Sequence, residues 1–235
     1  MKVKIFQKKW HNIFFRELDV DLSLFKLPNQ NFYKKFYKVF FEKYKSYNDL
    51  DLTWKKYKLK TLKNINFFFS KNSKILSYGS GLSFIESKLH QTRKDLQIDC
   101  YDLIHPKSRW LNIKNNKIKF LSNLKKEKKY DYILLIQLLY CFDDNELLNL
   151  LKKLKLFLKK KGKILTINSL PENYSFIKEF LKPIFYFFFK KKDMQLWGYL
   201  RDGSEIKNKF EILNYRLLKK FNHNNQLYQI FGLKK

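Results

Sequence analysis

A buried strand that runs directly into a glycine turn constrains the fold of this chain more than any other segment. The segment spans residues 75–83 and reads Ile-Leu-Ser-Tyr-Gly-Ser-Gly-Leu-Ser. Its first residues are mostly apolar, and Gly79 and Gly81 permit the backbone to turn tightly before a helix begins. Such a turn presents main-chain N–H groups to a nucleotide-like ligand. The sequence therefore predicts an α/β unit with a ligand site at this turn.

Two carboxylates follow the glycine turn at the distance expected for the next strand. Residues 96–102 predict this second strand, and Asp99 and Asp102 bracket its end. An acidic side chain about twenty residues beyond the turn commonly binds a pair of ribose hydroxyls. We expect Asp102 to have that role because its spacing from Gly79 fits, and Asp99 is the alternative.

Strand and helix patterns alternate from Ser73 onward, which favours a parallel sheet covered by helices on both faces. The polar turn 223–225 separates two further strand-like segments and predicts a closing antiparallel hairpin. We therefore expect a doubly wound α/β sheet that is mostly parallel and ends in an antiparallel hairpin. The parallel strands are predicted near residues 74–78, 97–102, 117–121, 130–136 and 163–168.

Residues 1 to about 70 have a different pattern. Aromatic side chains between Asn31 and Lys60 recur at three- and four-residue steps, which is helical periodicity. We interpret residues 1–70 as an N-terminal helical cap and residues 71–235 as the α/β domain. Packing against the main domain explains the aromatic stripe better than a ligand-binding role. The stripe consists of the aromatic residues Phe32, Phe36, Phe40, Tyr44 and Tyr47 together with the aliphatic Val39.

Three of the predicted helix starts contain a capping pair, in which a polar N-cap residue precedes a glutamate by three positions. Each pair satisfies two backbone N–H groups that have no partner within the helix. The three pairs are Ser83 with Glu86, Asp143 with Glu146, and Ser169 with Glu172.

The formal net charge of +29 indicates attraction to nucleic acid or to anionic membranes. However, only five of the 50 basic residues are arginine, whereas sites that read bases or hold phosphates favour arginine for its forked geometry. A solvated lysine surface is therefore the preferred interpretation. A noncatalytic or RNA-directed nucleic-acid-binding protein is kept as the alternative function.

Cysteine usage and hydropathy bear on the cellular compartment. Cys100 and Cys141 form no Cys-x-x-Cys motif and the histidines are not clustered, so we expect neither a metal site nor a disulfide. The start of the chain lacks the apolar core of a signal peptide. Its longest apolar stretches fall short of the roughly twenty residues that span a bilayer. We expect a cytoplasmic protein.

Taken together, several segments resemble the class I S-adenosylmethionine-dependent methyltransferases. Ile75, Leu76, Gly79 and Gly81 match the family's first motif, while residue 77 is serine in place of an acid and residue 83 is serine in place of the third glycine. Residues 130–133 resemble the aromatic-Asp lead into the family's fourth strand, and residues 138–143 follow at the family's spacing. Residues 158–164 resemble the turn before its fifth strand. The resemblance covers roughly residues 73–232.

This resemblance implies a Rossmann-like fold, methyltransferase activity and S-adenosyl-L-methionine as cofactor. Asp102 would bind the ribose, Asn123 would lie near the adenine, and Gln137 would border the methionine end. Because Ser77 lacks the family's charge at this position, we expect either weaker cofactor binding or partial compensation by a neighbouring carboxylate such as Glu86 or Asp102. Ser83 would cap the following helix. The implied cofactor-binding residues are Ser77, Tyr78, Gly79, Ser80, Gly81, Asp102, Asn123 and Gln137.

Two other interpretations of the glycine turn remain. A nicotinamide-binding domain needs a small residue at the third glycine position for close packing of helix on strand, but this chain has the bulky Phe84 there. The serines at 77 and 83 also fit a degenerate domain that no longer binds the cofactor. A methyltransferase that binds the cofactor is the preferred interpretation.

The methyl acceptor leaves weaker signals. The chain lacks the Asn/Asp-Pro-Pro-aromatic motif of the branches that methylate base amino groups, which follows the fourth strand. The cysteine nucleophile of cytosine C5 methylation generally follows a proline in this family, whereas Cys141 follows Tyr140. Both absences favour methyl transfer to an oxygen or nitrogen of a small-molecule or glycan acceptor, with a lipid-linked acceptor also considered. His105 is the candidate acceptor-side base.

The segment 170–204 is where such enzymes commonly form the acceptor pocket. We expect Trp197, Tyr199 and Arg201 to bind the acceptor, with Arg201 pairing an acidic group. A salt bridge from Arg201 to a nearby acid such as Asp202 or Glu205 is the structural alternative. The aromatic run 185–189, followed by three lysines, fits a helix on an anionic membrane, although burial against the cap is preferred.

Overall fold

The computed structural model describes residues 2–103, 118–188 and 193–234. The strands are β1 (Lys2–Gln7), β2 (Lys9–Trp10), β3 (Ile13–Phe14), β4 (Lys74–Tyr78), β5 (Gln97–Tyr101), β6 (Ile118–Leu121), β7 (Tyr130–Ile136), β8 (Leu158–Ser169), β9 (Gln195–Arg201), β10 (Tyr215–His223) and β11 (Gln226–Leu233). The α-helices are α1 (Gln30–Lys43), α2 (Leu52–Ile65), α3 (Phe84–Thr92), α4 (Asp144–Lys155), α5 (Phe176–Phe188) and α6 (Gly203–Ile212).

A seven-stranded sheet forms the centre of the molecule, in the order β10-β11-β8-β7-β4-β5-β6. The strands from β8 to β6 are parallel, whereas β11 pairs antiparallel with both β8 and β10. This arrangement confirms the predicted mostly parallel α/β sheet with a C-terminal antiparallel hairpin. Since parallel strands share one direction, the ends of β4, β5 and β7 meet at the same edge of the sheet.

Apolar runs place the inner strands at the centre of the core. Ile75 and Leu76 of β4, and Ile133, Leu134 and Leu135 of β7, have no exposed surface. Strands covered on both faces are expected to show such continuous apolar sequence. The resulting rigid layer fixes the positions of the residues that follow each strand.

Helix α4 has the start and the buried face that the sequence predicts. The Asp143 carboxylate accepts the Glu146 N–H at 2.8 Å, and the Glu146 carboxylate accepts the Asp143 N–H at 2.9 Å. This reciprocal pair confirms the predicted capping box. The buried face consists of Leu147, Leu150, Leu151 and Leu154.

The other two predicted caps are wrong. The Ser83 side chain makes no capping hydrogen bond, and its backbone is left-handed with φ +53°. Ser169 ends β8 instead of starting a helix, and a 3-10 turn, Pro171–Asn173, separates it from α5. In each case the polar side chain has a nearer partner: the Ser83 hydroxyl donates to Ser80 Oγ, and the Ser169 hydroxyl donates to Gln137 Oε1.

The segment 158–164, which resembled a turn, is extended. Strand β8 begins at Leu158 and pairs with β7, and the register shifts between Tyr130 and Tyr132. Gly162 fits this irregular pairing, because a Cβ there would lie 2.9 Å from the Tyr130 carbonyl oxygen. The glycine therefore allows two backbones to approach closely instead of marking a loop.

The N-terminal segment contains the expected helices, α1 and α2, and also strands that were not predicted. Strand β1 pairs antiparallel with β9, which lies almost 200 residues later in the chain. Strands β2 and β3 form a short hairpin. The aromatic stripe is packed inside, since Phe32, Phe36 and Phe40 are almost fully buried in one cluster with Trp197 of β9.

The hairpin of β10 and β11 closes the sheet through Asn224 and Asn225. Both asparagines have positive φ, 50° and 59°, which is the geometry of a two-residue type I′ turn. Strand β10 is an outer strand of the central sheet, and most of its side chains, including Arg216, Lys219 and Lys220, are exposed. Within the described ranges, no helix is long and apolar enough to cross a membrane.

Candidate active site at the carboxyl edge of the sheet

A cavity of about 1170 Å³ lies where β4, β5 and β7 end. The segment 78–86, Asp102 and Gln137 form one wall of the cavity, here called the lower wall. Residues of the N-terminal segment and of β9 form the opposite wall, here called the upper wall. The volume is slightly above the usual range for small-molecule and cofactor pockets.

The glycine turn follows β4 directly and borders this cavity. The Gly79 N–H donates to the Tyr101 carbonyl oxygen at 2.8 Å, which fixes the turn to the end of β5. Gly79 and Gly81 have positive φ, 71° and 54°. A Cβ at Gly79 would collide with the Leu138 side chain at 2.5 Å, whereas one at Gly81 would meet only the Tyr37 hydroxyl at 3.8 Å. Gly79 therefore permits close packing, and Gly81 leaves space open beside the cavity.

Asp102 is attached to the same turn. Its carboxylate accepts the Gly81 N–H at 2.7 Å and lines the cavity. Asp99, the alternative, is not among the cavity-lining residues, and its carboxylate accepts hydrogen bonds from Tyr130 Oη and Lys128 Nζ, both at 2.7 Å. The structure therefore places Asp102, and not Asp99, at the cavity.

Beneath the turn, Ser77 is paired with a buried carboxyl group. The Ser77 hydroxyl donates to Glu86 of α3, and both residues are almost fully buried. Glu86 lines the cavity, but Ser77 does not. Burial raises the pKa of Glu86, against the opposing effects of the Ser77 hydrogen bond and the positive charge of Lys58. An acidic group is thus present under the turn, carried by the helix instead of the strand.

Gln137 is held in place at the end of β7. Its side-chain amide donates to Tyr57 Oη at 3.0 Å, and its side-chain oxygen accepts from the Ser169 hydroxyl at 3.0 Å. Its backbone is left-handed, with φ +51°. Strain of this kind is common where a structure holds a residue for function. Gln137 lines the cavity, as do Tyr78 and Ser80.

The three predicted acceptor-binding residues have different surroundings. Trp197 and Tyr199 line the cavity. Trp197 is also almost fully buried and stacks on Phe15, with ring centroids 5.1 Å apart, so that much of its surface serves packing.

The prediction that Arg201 binds the acceptor does not agree with its position. Its guanidinium is buried outside the cavity lining and donates to the Asp144 carboxylate at 2.7 Å and to the carbonyl oxygens of Leu139 and Phe142 at 3.0 and 2.9 Å. Glu205 lies 3.5 Å from its Nε. Arg201 thus forms the predicted alternative, a salt bridge, with Asp144 as its main partner.

Besides Ser77 and Arg201, two further predicted residues are not placed at the cavity. Asn123 is exposed after β6 and does not belong to the lining. His105, the candidate base, lies outside the described residues.

The N-terminal segment supplies lining residues that the sequence analysis did not single out. They are mostly aromatic, but none of them belongs to the aromatic stripe, which the analysis interpreted as packing. The helical periodicity was visible, but nothing in it distinguishes a face that packs on the core from one that also borders a cavity. These residues include Trp10, His11, Tyr33, Tyr37, Trp54, Tyr57 and Lys58.

Two titratable groups that line the cavity, His11 and Cys141, are uncharged near neutral pH. Burial lowers the pKa of His11 to about 4, with a further contribution from Lys58, so its imidazole is neutral near pH 7. The Tyr33 hydroxyl donates to Cys141 Sγ at 3.9 Å, and burial raises the pKa of this thiol to about 12. Cys141 is therefore a thiol, not a thiolate nucleophile. Within the described part of the chain, no group of His, Cys, Asp and Glu side chains could hold a metal ion.

No protein-family model and no curated protein sequence matches this chain. Solved structures do match. A methyltransferase of calicheamicin biosynthesis, CalO1, in its SAH-bound form aligns with a TM-score of 0.55 and 14% identity, over 77% of this chain and 56% of that chain. The O-methyltransferase NcsB1 of neocarzinostatin biosynthesis, solved with S-adenosylmethionine and 2-hydroxy-5-methyl naphthoic acid, aligns with a TM-score of 0.57 and 12% identity, over 75% and 56%.

A structure described as a pericyclic reaction enzyme also aligns, with a TM-score of 0.54 and 11% identity, over 74% of this chain and 47% of that one. The chain thus spans about half the length of these proteins. At these identities the likeness concerns the fold alone, and one fold carries different chemistries. The strand order, the terminal hairpin and these alignments together show that the chain has the fold of the class I S-adenosylmethionine-dependent methyltransferases.

Proposed function

We propose that the protein transfers a methyl group from S-adenosyl-L-methionine to an oxygen or nitrogen of a small-molecule acceptor. The observation that carries this proposal is the hydrogen bond from the Gly81 N–H to the Asp102 carboxylate. It lies at the carboxyl ends of β4 and β5, on the wall of a large cavity. It joins a glycine turn and a strand-end acid, the two features that suit an adenosyl ligand.

The residues present fit this cofactor. The segment 78–81 offers main-chain groups, Asp102 offers a carboxylate for the ribose, and Gln137 lies at the end of the neighbouring strand. Glu86 supplies the buried carboxyl group that Ser77 lacks, so we assign to it the amino group of the methionine moiety. When bound, the cofactor supplies a sulfonium methyl group that is open to in-line attack. Asn123 is the weakest of the predicted cofactor contacts because it is exposed.

The chain itself contributes positioning and the exclusion of water. In-line displacement needs the acceptor held close and correctly oriented, and a water-excluded site strengthens every polar contact inside it. Trp10, Tyr37 and Trp54 contribute aromatic surface to the cavity wall. With His11 neutral, the described wall contains no cationic imidazole near pH 7. We assign catalysis mainly to positioning and the exclusion of water.

The cavity favours a small acceptor with an apolar or aromatic body. Its upper wall is largely aromatic, and Trp197 and Tyr199 lie on it. Rings of this kind bind planar molecules by stacking. The NcsB1 structures contain naphthoic acids, a class that such walls would suit. A glycan would need more polar partners than this wall offers, so a small aromatic acceptor is preferred.

Calorimetric titration with S-adenosylmethionine tests the cofactor assignment. Asp102→Asn keeps an oxygen that can accept the Gly81 N–H but removes the charge, and we expect affinity to fall by about tenfold or more, as for loss of a charge-assisted hydrogen bond. Asp99→Asn is the matched control, because that carboxylate is engaged by Tyr130 and Lys128 instead. Equal affinities for both variants, or no binding by the native protein, would refute the assignment.

Turnover is tested separately. Hydroxylated aromatic acids are incubated with the protein and methyl-labelled S-adenosylmethionine, and label in the acceptor is expected. If the protein binds the cofactor but labels neither these acids nor hydroxylated sugars, the proposed methyl transfer is contradicted, and the protein uses this fold for a different reaction.

The net charge of +29 favours one other function, nucleic-acid binding without catalysis. It predicts tight, salt-dependent binding of an RNA oligonucleotide and no saturable binding of S-adenosylmethionine. The two titrations distinguish the functions directly.

A further inference from the structure

Helix α5 exposes an apolar face. Ile177, Phe180 and Phe185 are 69%, 61% and 58% exposed. The exposed apolar residues follow one another along the helix at steps of three, one, three and one positions, which places them all on one side of the helix. The full set is Ile177, Phe180, Leu181, Ile184 and Phe185.

The opposite face of α5 is anchored to the body of the protein. Tyr186 is buried in a cluster with Phe6 of β1 and with Met194 and Leu196. Buried Glu179 accepts the Phe6 N–H at 3.3 Å and pairs with Lys182. The helix is therefore fixed in orientation, and its apolar face points outward because its other side is held.

A further exposed aromatic residue, Phe25, lies in a loop that adjoins α5. Leu24 and Leu27 pack against the same cluster as Tyr186, so the loop between them adjoins the helix. Within this loop, Phe25 is 81% exposed and both Phe25 and Lys26 line the cavity. Helix α5 thus lies near the part of the candidate active site that Phe25 and Lys26 line.

Charge indicates what covers this surface. A second copy of the chain would bring another +29 against it, and this repulsion opposes self-association through the face. An anionic lipid surface reverses the sign of that interaction. Lys178 is exposed on α5 itself, and amphipathic helices with lysine beside apolar side chains bind such surfaces.

We propose that the apolar face of α5, together with Phe25, docks on a membrane surface that contains anionic lipids. The apolar side chains enter the boundary between headgroups and acyl chains, and the lysines contact the headgroups. Docking places the part of the cavity that Phe25 and Lys26 line near the lipid. It does not depend on methyl transfer, and its test needs no cofactor.

Vesicle flotation tests this proposal. Vesicles of phosphatidylcholine alone are compared with vesicles of phosphatidylcholine and phosphatidylglycerol in equal amounts. We expect the full chain to float with the mixed vesicles only, and less so as salt is added. The double variant Ile177→Ser/Phe180→Ser should lower the partition coefficient by about tenfold or more, since two large apolar side chains no longer enter the lipid. Phe67→Ser, which changes an aromatic residue 88% exposed away from α5, should not alter it.

Three outcomes would overturn the proposal. Native protein that stays with neither kind of vesicle excludes docking. Equal flotation of the double variant and the native protein assigns the attraction to the lysine surface alone. A native dimer in sedimentation that the double variant converts to monomer shows that the face binds a second copy instead. Circular dichroism of each variant confirms that the fold is kept.

Discussion

Ser83 holds a strained backbone at the start of α3. Its φ of +53° lies in the left-handed region, which glycine adopts without cost and other residues do not. This is the position at which related first motifs have their third glycine. The sequence-based expectation was that serine replaced this glycine by capping the helix, but its hydroxyl donates to Ser80 Oγ instead. Ser83 therefore has the left-handed backbone conformation that favours glycine, although the residue is serine.

Replacing Ser83 with glycine should stabilise the protein. Relief of the left-handed strain is worth about 1 kcal/mol, less the weak bond to Ser80. Urea unfolding of Ser83→Gly should show a higher midpoint with an unchanged slope. Ser87→Gly, in the interior of the same helix, should instead lower it. A lower midpoint for Ser83→Gly would mean that the serine side chain stabilises this turn.

Glu86 is the other residue whose chemistry depends on its surroundings. Because burial raises its pKa, the folded state binds a proton more tightly than the unfolded state does. Its contribution to stability is therefore lost as pH rises from the ordinary value of 4.5 through the raised pKa. An ionised Glu86 costs stability near neutral pH, which is a common property of functional groups.

Glu86→Gln should separate these two effects. The amide still accepts the Ser77 hydroxyl, so the variant should be more stable than the native protein at pH 7 and equal to it at pH 4. Its affinity for S-adenosylmethionine should fall by about tenfold, if the carboxylate holds the amino group. Thermal melts at both pH values and calorimetry check this. Unchanged affinity would reassign Glu86 to a purely structural role.

At the scale of elements, two tight hairpins show what a sequence reveals. Asn224 and Asn225 separate long strands, and their turn was predicted from that context. His11 and Asn12 also have positive φ, 47° and 53°, but β2 and β3 contain only two residues each. Strands this short have no readable alternation, so the second hairpin was not predicted. That hairpin brings His11 to the cavity, against Trp54 and Phe40.

The His11 hairpin should make the protein sensitive to acid. Since burial lowers the pKa of His11 from 6.5 to about 4, its stabilising effect is complete above pH 6.5 and is lost as pH falls towards 4. The full loss is about 3 kcal/mol. His11→Asn suits the turn and should flatten this part of the stability curve relative to native protein. His223→Asn, at the exposed second turn, is the control and should not change the slope.

At the scale of the whole molecule, the N-terminal segment and the α/β part share one core. Trp197 and Leu200 of β9 pack in the same cluster as Phe15 and Phe36, and β1 pairs with β9 along its length. Periodicity within a segment does not reveal a pairing across almost 200 residues, so β1 was not predicted. The mostly parallel sheet, its terminal hairpin and most strand positions were predicted, because apolar runs and turns are local signals.

The predicted division at residue 70 is tested by fragments. We expect residues 71–235 alone to lack a cooperative thermal transition, since removing β1 and α1 uncovers Trp197 and Leu200. The full chain should melt in a single step. In the full chain, Trp197→Ala should cost about 3 to 5 kcal/mol. A fragment that melts cooperatively would show that the α/β part is an independent domain.

The site was predictable to the extent that it depends on local motifs. That Gly79, Gly81 and Asp102 lie together on the cavity wall could be predicted because the chain carries them at fixed spacing along two adjacent strands. Arg201 was misassigned because its partner, Asp144, is 57 residues away. The aromatic upper wall was missed for the same reason, since its residues meet the sheet edge only through tertiary packing.

The lysines and arginine of β10 have a consequence for the behaviour of the protein in concentrated solution. An open sheet margin can template a second chain, and this one belongs to a sequence with 24 phenylalanines. Repulsion between like margins keeps two molecules from joining there. Dissolved ions shorten the range of that repulsion. High salt should therefore favour association of this protein through β10 into fibrils, an effect that a sheet with an uncharged edge would not show.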